Sequence, residues 1–178
     1  MSARNLLTSL LVASSVVEGA PALQREGDIT VLAHGPAGLR IEGKSTAVSL
    51  EDQPSALLFK VPLAPIDTGI GLRNRHLRES LEVDKFPDAT LRVMRADLKF
   101  PKEGSPVESQ VTGELTLHGR SRPVPVHYRA ERRPGGPTRI AGSLQLDMRD
   151  FQIVPPSYLG VAVSPDVEVD VNLTVDGP

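Results

Sequence analysis

Asp166-Val167-Glu168-Val169-Asp170-Val171-Asn172-Leu173-Thr174-Val175 decides how this chain is read. Every second residue is apolar and every intervening one is polar. A helix would scatter the valines around its axis, whereas a β-strand puts them all on one dry face. The same period of two recurs upstream. Leu39 and Ile41 alternate with Arg40 and Glu42, and Leu57, Phe59 and Val61 with Leu58 and Lys60. Leu115 and Leu117 alternate with Glu114, Thr116 and His118, and Val124, Val126 and Tyr128 with His127 and Arg129. Ile140, Leu144, Leu146 and Met148 alternate with Arg139, Gln145, Asp147 and Arg149.

Turn residues punctuate these stretches: Gly35-Pro36, Asp52-Gln53-Pro54, Phe100-Pro101, Gly119 to Pro123, Pro134-Gly135-Gly136-Pro137 and Pro155-Pro156. About eight strands with many short connections give an antiparallel meander, which exposes its edges unless it closes or packs on a second sheet. The expected fold is all-β, an antiparallel sheet of about eight strands that, if it closes, leaves an interior just wide enough for side chains or one slender ligand. One segment departs from the pattern. In Asn74 to Glu82, Leu77 and Leu81 stand four apart among charges, which predicts a short amphipathic helix capped by Asn74.

Register follows from the turns. With Gly119–Arg122 as a loop, His118 faces Pro123, Leu117 faces Val124, Leu115 faces Val126, Gly113 faces Tyr128 and Glu114 faces His127. With Pro134-Gly135-Gly136 as the next loop, Val126 faces Leu144 and Tyr128 faces Gly142, so Tyr128 lies between two glycines. Thr90 to Phe100 changes phase, with Leu91 and Val93 at odd positions and Met94, Ala96, Leu98 and Phe100 at even ones. That predicts a bulge near Val93–Met94, or two short strands with a bend.

The first 22 residues read differently. Arg4 precedes an apolar run, Leu6–Val17, too short to span a bilayer, and Ala20-Pro21-Ala22 has the small-x-small pattern of a signal-peptidase site. The expectation is a leader at 1–22, cleaved after Ala22, and one domain at 23–178, placing the protein in the periplasm or outside the cell. The formal net charge of −2 gives no global attraction to nucleic acid or anionic membrane. There is no cysteine, hence no disulfide, thiolate metal site or cysteine nucleophile. His34, His76, His118 and His127 show no metal-ligand spacing. No Gly-x-Ser-x-Gly elbow, phosphate-cradling loop or paired acids in a defined context are present, which argues against an enzyme. The basic stretch of His118, Arg120, Arg122, His127, Arg129, Arg132 and Arg133 reads as a solvated face.

Several motifs in order bring a family into view. Ile66-Asp67-Thr68-Gly69, Arg73-Asn74-Arg75-His76-Leu77-Arg78 and Phe86-Pro87-Asp88-Ala89-Thr90-Leu91 closely resemble the YceI-like pattern. There a strand ends in Asp-Thr-Gly, an Arg-Asp-x-His-Leu helix follows, and Phe-Pro leads into the next strand. Val111 to Gly119 with Pro123-Val124 is similar to that family's Gly-x-Leu-Thr-x-x-Gly hairpin, and Met148-Arg149-Asp150-Phe151 to its Arg/Ser-Asp-Phe turn. The resemblance runs from about Leu57 to Val175. Asn74 stands where the usual helix motif has Asp, and the first hairpin, Ile29 to Ser45, lacks the family's early Tyr and His-Ser pair.

The resemblance implies an antiparallel eight-stranded lipocalin-like barrel holding a polyisoprenoid chain or related long amphiphile in an internal tunnel. Phe59, Leu91, Val93, Leu115, Leu117, Val126, Tyr128, Leu144 and Leu146 are the expected lining residues; from pattern alone the same residues also fit a filled core. Arg73 and His76 are candidates either for binding a polar head group at the mouth or for anchoring the helix by hydrogen bonds to buried carbonyls. The expected partner is a long-chain lipid or isoprenoid, with no nucleic acid, no stable membrane insertion and a homodimer left open. No cofactor or metal is expected beyond a bound isoprenoid or quinone-like lipid. The alternative function is a stress-related structural or interaction protein with a filled barrel and no lipid.

Overall fold

The structure is a computed structural model and describes residues 24–158 and 161–176; the leader expected at 1–22 and its expected cleavage after Ala22 lie outside the described residues. In chain order the elements are β1 (Gln24–His34), β2 (Arg40–Ser45), β3 (Ser49–Asp52), β4 (Ala56–Pro62), helix α1 (Gly71–Ser80), β5 (Asp88–Met94), β6 (Val107–Leu117), β7 (Arg120–Arg132), β8 (Thr138–Asp147), β9 (Ser157–Tyr158), β10 (Val161–Ala162) and β11 (Asp166–Val175). Nine strands form one antiparallel sheet in the order β2-β1-β11-β8-β7-β6-β5-β4-β3, while β9 and β10 make a separate small hairpin.

The sheet has nine strands where eight were expected, and the extra one is β3, too short to show an alternation of its own. The edge strands β2 and β3 are consecutive in the chain, with only Thr46, Ala47 and Val48 between them. The four residue steps from Ser45 to Ser49 reach at most about 14 Å, so the two edges of the sheet must be brought close together. The sheet therefore curls around one interior, and its seam is bridged by the chain itself. Ser45 is buried at this corner and its hydroxyl accepts a hydrogen bond from the Ala47 N–H at 3.1 Å. Beside the seam, Lys44 and Asp67 exchange backbone hydrogen bonds of 2.8 Å in each direction.

The alternating residues take the expected sides. In β11, Val167, Leu173 and Val175 are buried, and in β7 Val124, Val126, Tyr128 and Ala130 are buried between exposed neighbours. The β7–β8 register is as read, with Val126 opposite Leu144 and Tyr128 opposite Gly142.

The β6–β7 register is not. Leu117 faces Arg120, Leu115 faces Arg122, Gly113 faces Val124, Val111 faces Val126 and Ser109 faces Tyr128; Glu114 faces Pro123, and His127 faces Gln110. The turn is the two-residue His118-Gly119, with φ of 50° and 69°. Positive φ at both central residues matches the twist of a hairpin. Tyr128 thus has a glycine on one side only, and the space beside Gly113 is taken by the Leu91 side chain.

The phase change after Thr90 is also resolved differently. β5 simply ends at Met94, which is exposed, and a single 3-10 turn at Arg95–Asp97 brings Leu98 back to the interior. The helix starts three residues before the expected cap. Ile70 is the N-cap residue, and Asn74 lies inside the helix.

Candidate functional site: an apolar cavity through the barrel

Inward side chains from all nine strands of the curled sheet line one cavity of about 1240 Å³. That exceeds the roughly 300–1,000 Å³ of ordinary small-molecule clefts. Its wall is almost wholly aliphatic, as follows from the alternation: each strand presents Val, Leu or Ile inward and leaves its charges outside.

All nine residues expected to line an interior stand on this wall. Val93, Leu115, Leu117, Val126 and Tyr128 are buried, and Phe59, Leu91, Leu144 and Leu146 are half-buried against the void. Other parts of the wall were not singled out beforehand, among them Val31 of β1, Leu50 of β3, Val61 of β4 and Val169, Val171 and Leu173 of β11. The alternation of β11 already held the signal for the last three.

The two ends of the cavity differ. At one end Asp52 forms an ion pair with Arg95, whose guanidinium lies 5.4 Å from the centre of the Phe100 ring. The Tyr128 hydroxyl accepts from the Lys99 N–H at 2.7 Å and donates to the Lys99 carbonyl at 3.1 Å. Its ring is thereby an apolar wall with a satisfied polar tip.

At the other end α1 lies across the opening. Arg73, His76, Leu77, Ser80 and Leu81 turn toward the cavity. No residue of α1 is fully buried, so its own packing holds it weakly. The attachment is made by Asn74. Its side-chain carbonyl accepts from the Thr68 N–H at 2.8 Å and from the Thr68 hydroxyl at 2.6 Å, and its amide donates to Asp67 Oδ1 at 2.6 Å. Asp67 also accepts from the Gly69 N–H at 2.9 Å. The Asn74 amide first, and the Gly69 N–H second, hold the Asp67 carboxyl below its usual range.

The side chains of Arg73 and His76 make no hydrogen bond or ion pair among the described residues; the side-chain hydrogen bonds that tie the helix to the segment before it come from Asn74. Arg73 is half-buried and His76 exposed, and both line the mouth with their polar groups unengaged.

A second tie fixes the end of the helical segment. His118 Nδ1 donates to the Phe151 carbonyl at 3.1 Å, its Nε2 lies 3.2 Å from a Glu82 oxygen, and its ring meets Phe86 edge-on with centroids 4.9 Å apart. Hydrogen bonding from His118 lowers the Glu82 carboxyl below its ordinary value. His118 is thus a packed tie between the β6–β7 turn and its neighbours, while Arg120, Arg122, His127, Arg129 and Arg133 are exposed as expected for a solvated face. Arg132 is partly buried, 4.0 Å from Glu103.

The arrangement supplies area, not reactive groups. Among the described residues no three His, Asp or Glu side chains are grouped to hold a metal, and no helix is long and apolar enough to cross a membrane.

Comparison with known proteins agrees with this architecture. The chain is 34% identical over 119 residues to a UPF0312 protein of Enterobacter sp. (strain 638), covering 63% of this chain and 56% of that one. It is 32% identical over 136 residues to Protein YceI of Salmonella arizonae, covering 71% of this chain and 65% of that one. The matches thus span between about half and two thirds of these relatives' length. In fold it is similar to a polyisoprenoid binding domain from Saccharophagus degradans implicated in plant cell wall breakdown, with a TM-score of 0.74, 16% identity, and coverage of 89% of this chain and all of that one. The YceI-like domain matches residues 26–175, nearly every residue of the curled sheet, and the chain belongs to the YceI-like family.

Proposed function

We propose that the protein is a carrier that shields a long apolar tail, an isoprenoid or related lipid, inside its barrel. The observation that carries this reading is the cavity of about 1240 Å³, whose wall is almost wholly aliphatic and whose charged groups stand toward its two ends. A tail needs no polar recognition along its length. Each methylene moved from water into such a wall contributes about 0.8 kcal/mol, so a dozen carbons give on the order of 10 kcal/mol before ordering costs. The fold shared with a polyisoprenoid binding domain supports the same class of ligand.

In this reading Phe59, Leu91, Val93, Leu115, Leu117, Val126, Tyr128, Leu144 and Leu146 contact the tail. Arg73 and His76, unengaged at the helix end, take a carbonyl, hydroxyl or anionic head group. Binding rather than catalysis suits the same wall, because among the described residues no nucleophile hydrogen-bonded to a base faces the void. Export to the periplasm or outside the cell is part of this proposal, supported by the leader-like sequence at 1–22.

The test is a solvent extract of natively expressed protein, read by mass spectrometry. A prenyl or acyl species near one per chain is the expected result. Protein recovered empty, which also takes up no prenyl or acyl probe from detergent, would overturn the proposal.

A further inference from the structure

The mouth of the barrel carries an oddity that the cavity does not use. Leu39, Ile70 and Leu72 are 47%, 48% and 56% exposed, although each is a large aliphatic residue. Single exposed apolar residues are ordinary, but three around one opening form a patch. All three border the same cavity. The antiparallel bridge between Lys44 and Asp67 runs the chain that ends in Leu39 alongside the chain that leads to Ile70 and Leu72. The patch is therefore a rim shared by the first hairpin and the start of α1.

Within α1 the charges are of one dominant sign. α1 holds three arginines against one glutamate. Arg73 turns toward the cavity, while Arg75 and Arg78 do not line it and are exposed. Glu79 meets Arg75 at 3.7 Å in an exposed pair. The guanidinium groups of Arg40, Arg73 and Arg78 have no hydrogen-bonding or ionic partner among the described residues. Of the acids flanking the helix, Asp67 accepts from the Asn74 amide and Glu82 lies beside His118 and Lys85, while Asp84 is exposed.

We propose that this rim, Leu39, Ile70 and Leu72 with the outward arginines of α1, docks the mouth of the barrel on an anionic phospholipid surface. A short segment with aliphatic residues at its edge and guanidinium groups on its outer side suits the boundary between head groups and acyl chains. The aliphatic residues enter the boundary and the arginines meet the phosphodiesters. The mouth then opens onto the acyl region, so a tail passes from bilayer to barrel without crossing water. The inference rests on the carrier reading for its purpose, but not for its test.

The test is sedimentation of the full chain with vesicles. Vesicles containing phosphatidylglycerol are compared with pure phosphatidylcholine, each at low and at high salt. Preferential binding to the anionic vesicles, weakened by salt, is expected because exposed charges are screened over about 10 Å at 0.1 M. One cation near an anionic surface counts for about fivefold in partitioning, so R75Q/R78Q should weaken binding about thirtyfold. I70S/L72S should weaken binding to anionic vesicles and leave circular dichroism unchanged. The leader stretch is common to every variant, so differences between them report the rim alone. Equal binding of R75Q/R78Q and the parent chain, or equal binding to the two vesicle types, overturns the docking surface. Lipid content by mass spectrometry reads the carrier function separately. R75Q/R78Q, which alters no cavity residue, should keep its bound lipid even where vesicle binding is lost.

Discussion

At the scale of single residues, two positions explain local choices that otherwise look arbitrary. Gly119 has a φ of 69°, and a Cβ placed there would stand 2.6 Å from Cε1 of Phe86. Only glycine satisfies both the left-handed turn and the ring packed over it. Gly119→Ala therefore meets strain from the backbone and overlap with the ring, together about 2–4 kcal/mol. Urea unfolding monitored by circular dichroism should show that loss; a change under about 1 kcal/mol, less than the φ strain alone, would mean that Gly119 does not hold the left-handed turn. Tyr128 shows the complementary case, a ring needed for its area and a hydroxyl needed for its bonds. Tyr128→Phe keeps the wall but leaves the Lys99 N–H without its 2.7 Å acceptor. The expected cost is about 1–3 kcal/mol in unfolding free energy. Uptake of a prenyl probe should be unchanged, because the apolar face of the ring remains.

At the scale of elements, the helix and the hairpins show what was legible and what was not. Period-two alternation identified β4, β7, β8 and β11, and the faces they present, because a strand has only two sides. The Pro134–Pro137 turn set the β7–β8 register correctly, since Gly and Pro there leave few backbone choices. The β6–β7 turn misled because His118 is not a residue whose sequence announces a positive φ, and the polar run after Gly119 imitates a loop. β3 was illegible because four residues cannot display a period. The helix was visible through Leu77 and Leu81, but its anchor was not, since the contact of Asn74 with Asp67 and Thr68 is tertiary. That contact makes a signed prediction. The carboxyl of Asp67 is depressed chiefly by the Asn74 amide. Its contribution to stability is therefore present above the ordinary aspartate value of about 3.9 and is lost as the pH falls through the depressed value. Asn74→Asp inverts this. Two carboxylates would face each other, one would be pushed upward in pKa, and the variant should gain stability as the pH falls through that raised value. Melting temperatures of both proteins between pH 7 and about pH 2, reaching below the ordinary aspartate value, check this. Parallel curves would show that Asn74 and Asp67 are not in contact in solution.

At the scale of the whole molecule, the void is the feature from which function follows, and the ladder indicates how to close it. Gly142 lies midway along β8, opposite Tyr128 on one side and Val171 on the other, and it lines the cavity. A Cβ built there meets no atom nearer than the His127 carbonyl oxygen at 3.9 Å. Its φ lies outside the left-handed region, so a larger residue needs no change of backbone. Gly142→Leu should therefore project a branched side chain into the waist of the barrel without disturbing the strands. Burying that side chain should stabilise the empty protein by about 1.5–3 kcal/mol. In the parent chain a bound tail contributes its own stabilisation, about 2.7 kcal/mol when free ligand is a hundredfold above Kd. The two proteins should then respond oppositely to delipidation. The parent should melt lower once stripped of lipid, and the variant should melt at one temperature whether or not lipid is offered. Calorimetry with and without a prenyl alcohol in detergent measures both. If Gly142→Leu still takes up the alcohol, the tail does not run through the waist. The aliphatic wall would then serve some purpose other than holding it.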